Sequence, residues 1–176
     1  MLPAAMDTTY AADIIRARPD QAPQLTDIAH AAKRHWGYPE RWIGRWRQDL
    51  TVTPGFIARE CVFLAQAAGG IAGFYALAAA GLRDAMSVEH LWVDPAFMGR
   101  GIGRALFGHA VRQAIGRNVA LLQIESDPHA EGFYRHMGAR TVGHAVRLFD
   151  GRQRALPLLF LDTAPAGAGV ANHVRP

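Results

Sequence analysis

Apolar residues recur at helical spacing along much of the chain, with polar residues on the opposite side. This pattern predicts helices over 20–36, 39–50, 100–116 and 128–137. Pro39 stands in the first turn of the second helix, and Asp127 can cap the last one. Thr53 and Pro54 have the order of an N-cap and a first helical residue, so a short helical turn is expected there as well.

Between the helices, the chain carries shorter apolar and β-branched runs that are typical of strands. They predict strands over 10–18, 61–66, 71–80, 86–93, 119–124, 140–149 and 154–161. Gly69-Gly70 would join the second and third strands as a hairpin, and Asp150-Gly151 would join the last two. Strands interleaved with helices must pair non-locally, so the predicted fold class is α/β with a mixed sheet.

The size of the chain suits a single domain. Its 176 residues can bury a core, and we expect one domain over 1–163 with a mobile Ala/Gly/Pro-rich tail at 164–176. The longest apolar segment, 62–82, is divided by Gln66 and four glycines, so no membrane span is predicted. The start of the chain has no basic, apolar leader and predicts no signal peptide.

Charge and cysteine content narrow the function classes. The net charge is +4, but the arginines are scattered and Lys33 is the only lysine, so we expect no nucleic-acid partner. An anionic ligand explains the basic bias equally well. Cys61 is the only cysteine, which excludes an internal disulfide and a multi-thiolate metal site, and we expect it in the core. We therefore expect a cytoplasmic protein with no metal.

Three alternate glycines, Gly99, Gly101 and Gly103, open the third long helix directly after a predicted strand. Glycines leave backbone amides unobstructed, and amides at a helix N-terminus bind anions such as a diphosphate. The turn lacks the Gly-Lys-Ser/Thr ending of a Walker loop, and Arg104 stands where a dinucleotide-binding turn needs its third glycine. The alternative is that the glycines only allow close packing of helix and strand.

The same stretch resembles motif A of the GNAT superfamily of N-acetyltransferases, in which a strand ending in Val-x-Pro precedes Gln/Arg-x-x-Gly-x-Gly/Ala. Here Val93-Asp94-Pro95 matches, and Met98 replaces the usual Gln or Arg. A second motif of that family, Asn-x-x-Ala-x-x-x-Tyr followed by Gly-Phe, resembles the segment from Asp127 through Tyr134 to Gly138-Ala139, where Asp replaces Asn and Ala replaces Phe. The resemblance covers about 14–161.

The resemblance implies a GNAT-like fold, with a mostly antiparallel central sheet flanked by helices, and acetyl-CoA as cosubstrate. It implies cofactor contacts from the strand before the turn, from the turn and from the second motif: Leu91, Trp92, Val93, Met98, Gly99, Arg100, Gly101, Ile102, Gly103, Arg104, Asp127 and Phe133. The backbone amide of Trp92 or Val93 would bind the thioester oxygen. For Asp127 and Phe133, helix capping and core packing are the alternatives.

Acetyl transfer to an amine also needs a base and an acid. Glu89 is our first candidate for the base and His90 the second, and strand alternation places them on opposite faces. A surface or core-edge carboxylate paired with an arginine is the alternative for Glu89. Tyr134 matches the family's tyrosine that protonates the departing thiolate, and its phenol is protonated at neutral pH. Aromatic packing is the alternative for Tyr134.

The acceptor is expected to be a primary amine of a small molecule. In this fold the first helices shape the acceptor site, and Trp36 and Tyr38 could wall a pocket for an apolar or cationic amine, together with Trp42. Trp46 is expected in the core. Two alternatives have the same fold: an acetyltransferase that acts on protein or peptide amines, and a CoA-binding regulator without catalytic activity. A third alternative, from a different class, is a nucleic-acid-binding module. The sequence leaves the oligomeric state open, and a homodimer is suggested only by analogy with relatives of this family.

Overall fold

The computed structural model describes residues 12–149 and 151–163, so the predicted tail 164–176 and the first residues of the first predicted strand lie outside the described part. The α-helices are α1 (Ala22–His35), α2 (Glu40–Arg45), α3 (Arg47–Leu50), α4 (Pro54–Arg59), α5 (Ile102–Ile115) and α6 (Glu131–His136). The strands are β1 (Asp13–Arg16), β2 (Cys61–Ala67), β3 (Gly70–Ala79), β4 (Ala85–Val93), β5 (Leu121–Glu125), β6 (Arg140–Phe149) and β7 (Arg152–Asp162).

The described residues form two compact units. The first comprises the described residues of Met1–Ala78 together with Ser87–Ala110, and the second comprises Ala79–Met86 and the described residues from Val111 onwards. In the first unit, β1, β2, β3 and β4 lie side by side in chain order, and β2 is antiparallel to both β1 and β3. In the second unit, β7 lies between β5 and β6 and is antiparallel to both.

The core of the first unit follows the apolar pattern of the sequence. On α1, Leu25, Ile28 and Ala32 are buried, as the helical spacing predicts. Cys61 and Trp46 are also buried, which confirms the expectation that both belong to the core. The short helix α4 begins as predicted, because the Phe56 amide donates to the Thr53 hydroxyl at 3.1 Å.

The single helix predicted over 39–50 is wrong, because the chain forms two short helices instead. Trp46 separates α2 from α3 with φ −80° and ψ 4°, outside the helical region. Gly44, two residues earlier, weakens the helix by about 1 kcal/mol relative to alanine. The buried Trp46 ring packs edge-on against the rings of Tyr38 and Trp42, so burial of this indole outweighs continuation of the helix.

Two other helices start later than predicted. The left-handed backbone of Gly101 delays the start of α5 from residue 100 to Ile102. The predicted helix at 128–137 begins with a 3-10 turn, Pro128–Ala130, before α6. None of the described helices combines the length and the apolar character needed to cross a bilayer.

Candidate functional site

Two glycines shape the loop between β4 and α5, residues 94–101, which we call the glycine loop. Gly99 has φ +75° and Gly101 has φ +80°, and this left-handed conformation costs a residue with a Cβ about 1–2 kcal/mol. A Cβ built on either glycine would meet no atom within 4 Å. The backbone conformation, rather than close packing, therefore requires glycine at these two positions.

Backbone amides of this glycine loop are available at the head of α5. Within the described residues, the structure records no hydrogen bond to another backbone group from four of these amides: Gly99, Gly101, Ile102 and Gly103. The first intrahelical bond runs from the Ala105 amide to the Gly101 carbonyl at 3.0 Å. Amides in the first turn of a helix carry the positive end of its dipole. The glycine loop therefore has the donors that bind a diphosphate.

Residues beside the glycines add shape and charge to the loop. The Asp94 carboxylate accepts from the Ala96 amide at 2.8 Å and fixes the turn after β4. Arg100 and Arg104 are exposed, and the Arg100 guanidinium lies 5.6 Å from the centroid of the Phe97 ring. Both cations can make charge-assisted contacts with phosphate oxygens.

The position that departs from the family motif lies just before the glycines. Met98 is half-buried, with an extended backbone of φ −62° and ψ 153°. Its amide donates to the Pro95 carbonyl at 3.4 Å. A diphosphate contacted through backbone amides places little demand on the side chain at this position.

The end of β4 lies tightly against β3 at Gly73. A Cβ at Gly73 would lie 2.5 Å from the Trp92 carbonyl oxygen and 3.1 Å from the Val93 Cα, so only glycine fits there. Just beyond the strand, the Asp94 amide donates to the Ala72 carbonyl at 2.9 Å. Sequence reasoning missed Gly73, although a glycine inside a predicted strand signals a close backbone approach.

The two candidate bases on β4 have different surroundings. Glu89 is exposed, whereas His90 is half-buried beside the rings of Phe56 and Phe74, at 5.6 and 5.7 Å between centroids. The Trp92 indole N–H donates to His90 Nδ1 at 3.1 Å, which places these two side chains on one face of β4. Strand alternation then places Glu89 on the opposite face.

Burial makes His90 a neutral group. The loss of hydration lowers the pKa of His90 to about 4, because the charged imidazolium is disfavoured away from water. The pKa is therefore too low for His90 to be the general base near neutral pH, where a base with a pKa close to 7 works best. Leu91 and Val93, on the same strand, are half-buried.

An aromatic cluster surrounds Lys33 in the first unit. The rings of Tyr38 and Trp42 stack at 6.1 Å, and Trp46 meets Tyr38 edge-on at 5.1 Å. The Lys33 ammonium lies 5.0, 4.7 and 5.6 Å from the ring centroids of Tyr38, Trp46 and Trp92, within cation–π range. These contacts connect α1 and the segment after it with β4.

Of the two predicted acceptor residues, Tyr38 contributes a ring to this aromatic cluster. The Trp36 ring lies edge-on to His35 at 5.6 Å, and Trp36 is 37% exposed. The sequence did not indicate that Trp92 would join the cluster, because Trp92 is distant along the chain from α2.

The second unit holds Tyr134, the predicted acid. Tyr134 lies on α6 and is buried, with the Phe133 ring edge-on at 5.2 Å. Burial, and then the nearby Asp127 carboxylate, raise the pKa of Tyr134 above its ordinary value. The phenol is therefore protonated throughout the neutral range and can act as a proton donor.

Asp127 has the capping role expected for it. Its carboxylate accepts from the His129 amide at 3.0 Å, at the start of the turn that leads into α6. The Arg154 guanidinium lies 3.6 Å from the same carboxylate. Phe133 is half-buried rather than fully in the core. The contacts of Asp127 and Phe133 with a cofactor remain predictions.

The predicted site residues are thus divided between the units. The first holds the glycine loop, the candidate bases on β4 and the aromatic cluster, and the second holds Tyr134 with its neighbours. Among the described residues, no group of three or more His, Cys, Asp and Glu side chains is arranged to hold a metal ion.

Residues 58–138 match the family model of the acetyltransferase (GNAT) domain. The match includes both the glycine loop and Tyr134. A curated relative, the chloroplastic serotonin N-acetyltransferase 2 of Oryza sativa subsp. japonica, is 29% identical over 114 residues, which are 63% of this chain and 54% of that protein. The chain therefore spans about half the length of this relative.

Solved structures share the fold. The GCN5-related N-acetyltransferase from Rhodopseudomonas palustris aligns with a TM-score of 0.74 and 18% identity, over 86% of this chain and 96% of that one. PaiA N-acetyltransferase from Thermoplasma acidophilum, in complex with coenzyme A, aligns with a TM-score of 0.67 and 17% identity, over 86% and 99% of the two chains. The predicted mixed α/β GNAT fold is confirmed.

Proposed function

Because residues 58–138 match the family model of the acetyltransferase (GNAT) domain, we propose that this chain transfers the acetyl group of acetyl-CoA to a primary amine of a small molecule. The observation that carries this proposal is the glycine loop, whose two left-handed glycines present backbone amides at the head of α5. That arrangement suits the diphosphate of CoA.

The glycine loop and the end of β4 hold the cosubstrate in this proposal. Amides between Gly99 and Arg104 bind the diphosphate, and two exposed arginines, Arg100 in the loop and Arg104 in the first turn of α5, add charge-assisted contacts. Leu91, Trp92 and Val93 line the pantetheine arm through their backbone. Acetyl-CoA supplies the activated thioester, and an amide of Trp92 or Val93 donates to its carbonyl oxygen as negative charge develops there.

The acceptor must lose a proton before it attacks. An alkylamine with a pKa near that of lysine is almost wholly protonated at neutral pH, and freeing it costs about 4 kcal/mol at roughly 1.4 kcal/mol per pKa unit. Glu89 is exposed, and we assign it the role of taking this proton. Because Glu89 lies on the face of β4 opposite His90, an amine held on the His90 side passes its proton to Glu89 through intervening water. The neutral amine then attacks the thioester directly, and its nitrogen releases a second proton to water as the C–S bond breaks and the amide forms.

Tyr134 protonates the departing thiolate. The conjugate acid of a thiolate has a pKa near 8.5, and the pKa of Tyr134 is raised by burial and by Asp127, so its proton is present when the thiolate forms. Deprotonated Tyr134 is costly in its buried place and regains a proton from solvent. The raised pKa supports the role of acid and opposes a role as base.

The aromatic residues after α1 are proposed to receive the acceptor. Tyr38 belongs to the aromatic cluster with Trp42 and Trp46, and Trp36 offers a ring that is more than one third exposed. Ring faces bind apolar and cationic amines. The name of the Oryza relative, a serotonin N-acetyltransferase, is in keeping with an acceptor that has an aromatic body.

We propose that the protein acts on small-molecule substrates in the cytoplasm. It needs no nucleic-acid or membrane partner, and it is compatible with a homodimer. Light scattering of the purified protein would measure the oligomeric state. Retention on DNA or RNA at physiological salt would count against the assignment.

An amine-library screen tests the proposed reaction. The protein, acetyl-CoA and each amine are mixed, and release of free CoA thiol is followed, with acetylation of the amine verified by mass. The account predicts thiol release that depends on at least one small primary amine. Tight binding of CoA without acceptor-dependent release from any amine would contradict the proposed enzyme.

A further inference from the structure

His90 and Trp92 form a polar pair on β4 that the proposed mechanism does not use. The Trp92 indole N–H donates to His90 Nδ1 at 3.1 Å. A neutral imidazole carries only one N–H, so a His90 whose Nδ1 accepts must hold its proton on Nε2. Trp92 therefore fixes His90 as a hydrogen-bond donor through Nε2.

The surroundings of His90 keep it uncharged. It meets Phe56 from α4 and Phe74 from β3, and its neighbour on β4 is Trp92, none of which ionises near neutral pH. From α1, the Lys33 ammonium lies 5.6 Å from the Trp92 ring centroid. The pKa of His90, lowered to about 4 by burial, agrees with a neutral ring at physiological pH.

Nε2 of His90 is open to a ligand. Within the described residues, no side-chain nitrogen or oxygen that is fully shielded from solvent lacks a hydrogen-bond partner. Among the residues that the structure describes, the His90 ring has one hydrogen bond, the one at Nδ1. Nε2 must therefore retain some solvent-accessible surface, and its N–H is a fixed donor between aromatic rings.

We propose that His90 Nε2–H recognises an uncharged oxygen of the acceptor, a hydroxyl, ether or carbonyl oxygen close to the reacting amine. The inference rests on the proposed function. His90 precedes Trp92 by two residues, about 6.6 Å along the strand, and the amide of Trp92 or Val93 is assigned to the thioester oxygen. An amine attacking there brings a neighbouring substituent within reach of His90.

The surroundings of His90 and Trp92 favour an uncharged oxygen over a carboxylate. A carboxylate would be buried among Phe56, Phe74 and Trp92 beside a neutral donor that cannot balance its charge, which is costly. A neutral oxygen needs only the single hydrogen bond that Nε2–H supplies. Trp92 acts as the positioning residue, because its indole N–H sets the tautomer of His90.

The first experiment reads the tautomer directly by NMR of nitrogen-labelled protein saturated with CoA. The His90 resonances are assigned by their loss in His90→Gln, since the chain has eight histidines. Near neutral pH, His90 in the wild type should be the Nε2–H tautomer. In Trp92→Phe, which lacks the indole N–H, this preference should weaken. A wild-type Nδ1–H tautomer, or a ring protonated at neutral pH, would overturn the inference.

The second experiment compares two matched amines, 2-amino-1-phenylethanol and 2-phenylethylamine, which differ by one hydroxyl. The hydroxylated amine should shift the His90 Nε2–H signal and bind about tenfold more tightly, the effect of one net hydrogen bond. This advantage should vanish in His90→Leu and survive in His90→Gln, whose amide can still donate. Equal binding of the two amines, binding of neither, or an advantage that survives His90→Leu would refute the assignment.

These binding measurements need no turnover, so they separate the two proposals. Oxygen-selective binding at His90 without any acetyl transfer would refute the enzyme and leave the recognition site standing. Acetyl transfer with no preference between the matched amines would refute the role of His90 alone.

Discussion

Replacing Gly101 by valine perturbs the glycine loop at the point where the account depends on it most. Gly101 has φ +80°, so valine must adopt a left-handed backbone there, at a cost of about 1–2 kcal/mol in the free energy of unfolding. No atom lies within 4 Å of the added Cβ, so the fold itself has room for it. We expect the added side chain to crowd a diphosphate bound by the amides at the head of α5.

The loss of CoA affinity should exceed what strain alone causes. A hydrogen bond to a charged group contributes about 1.5–3 kcal/mol, so displacing one phosphate contact weakens binding roughly 10- to 100-fold. Crowding of the whole diphosphate would abolish binding. Isothermal titration of CoA measures the affinity, and urea unfolding measures the stability of the same preparation.

Gly69→Val is the matched control for this substitution. Gly69 also has a left-handed backbone, with φ +103°, and also has no atom within 4 Å of an added Cβ, but it lies in the turn between β2 and β3. It should lose a similar stability and keep its CoA affinity. If Gly101→Val binds CoA as tightly as Gly69→Val does, the diphosphate does not contact this loop.

The remaining predictions concern the proposed acid, the crowded glycine and the buried histidine. Tyr134→Phe should lower kcat at least about 100-fold and leave the Kd for CoA unchanged; unaltered turnover would remove Tyr134 from the mechanism. Gly73→Ala should lower the free energy of unfolding by about 1–3 kcal/mol, because the added Cβ would lie 2.5 Å from the Trp92 carbonyl oxygen. Gly44→Ala, in α2, is the control: its Cβ would meet no atom within 4 Å, so its stability to urea should be unchanged or higher. Equal stability of these two variants would contradict the close approach. The pKa of His90 is about 4 in the folded protein and 6.5 ordinarily, so as the pH falls the unfolded chain binds a proton at His90 before the folded protein does. Between pH 6.5 and 4, the free energy of unfolding of the wild type should therefore fall by about 3 kcal/mol more than that of His90→Gln. Parallel pH profiles of unfolding for the two proteins would contradict the lowered pKa.

The sequence predicted the elements whose signals are local. The apolar stripe of α1 and the cap of α4 depend on residues a few positions apart, and the structure has both. The pattern could not show that the predicted helix over 39–50 divides at Trp46, because that break depends on where the indole is buried. Helical spacing of Trp42 and Trp46 is compatible with one helix or two.

The candidate site was predictable where its chemistry depends on the backbone. The glycine loop was predicted because alternate glycines before a helix leave backbone amides unobstructed, and the structure adds that Gly99 and Gly101 have a left-handed backbone. The pairing of Trp92 with His90 was not found, although alternation places both on one face, because the indole contact is set by the packing of distant rings. The approach of Gly73 to β4 likewise depends on strand pairing across the chain.

The most direct test of the account is a crystal structure of the protein grown with acetyl-CoA. We expect the two phosphates of the diphosphate within hydrogen-bond distance of the main-chain amides between Gly99 and Arg104, at the start of α5. A cosubstrate whose diphosphate is held by any other part of the chain would contradict the account.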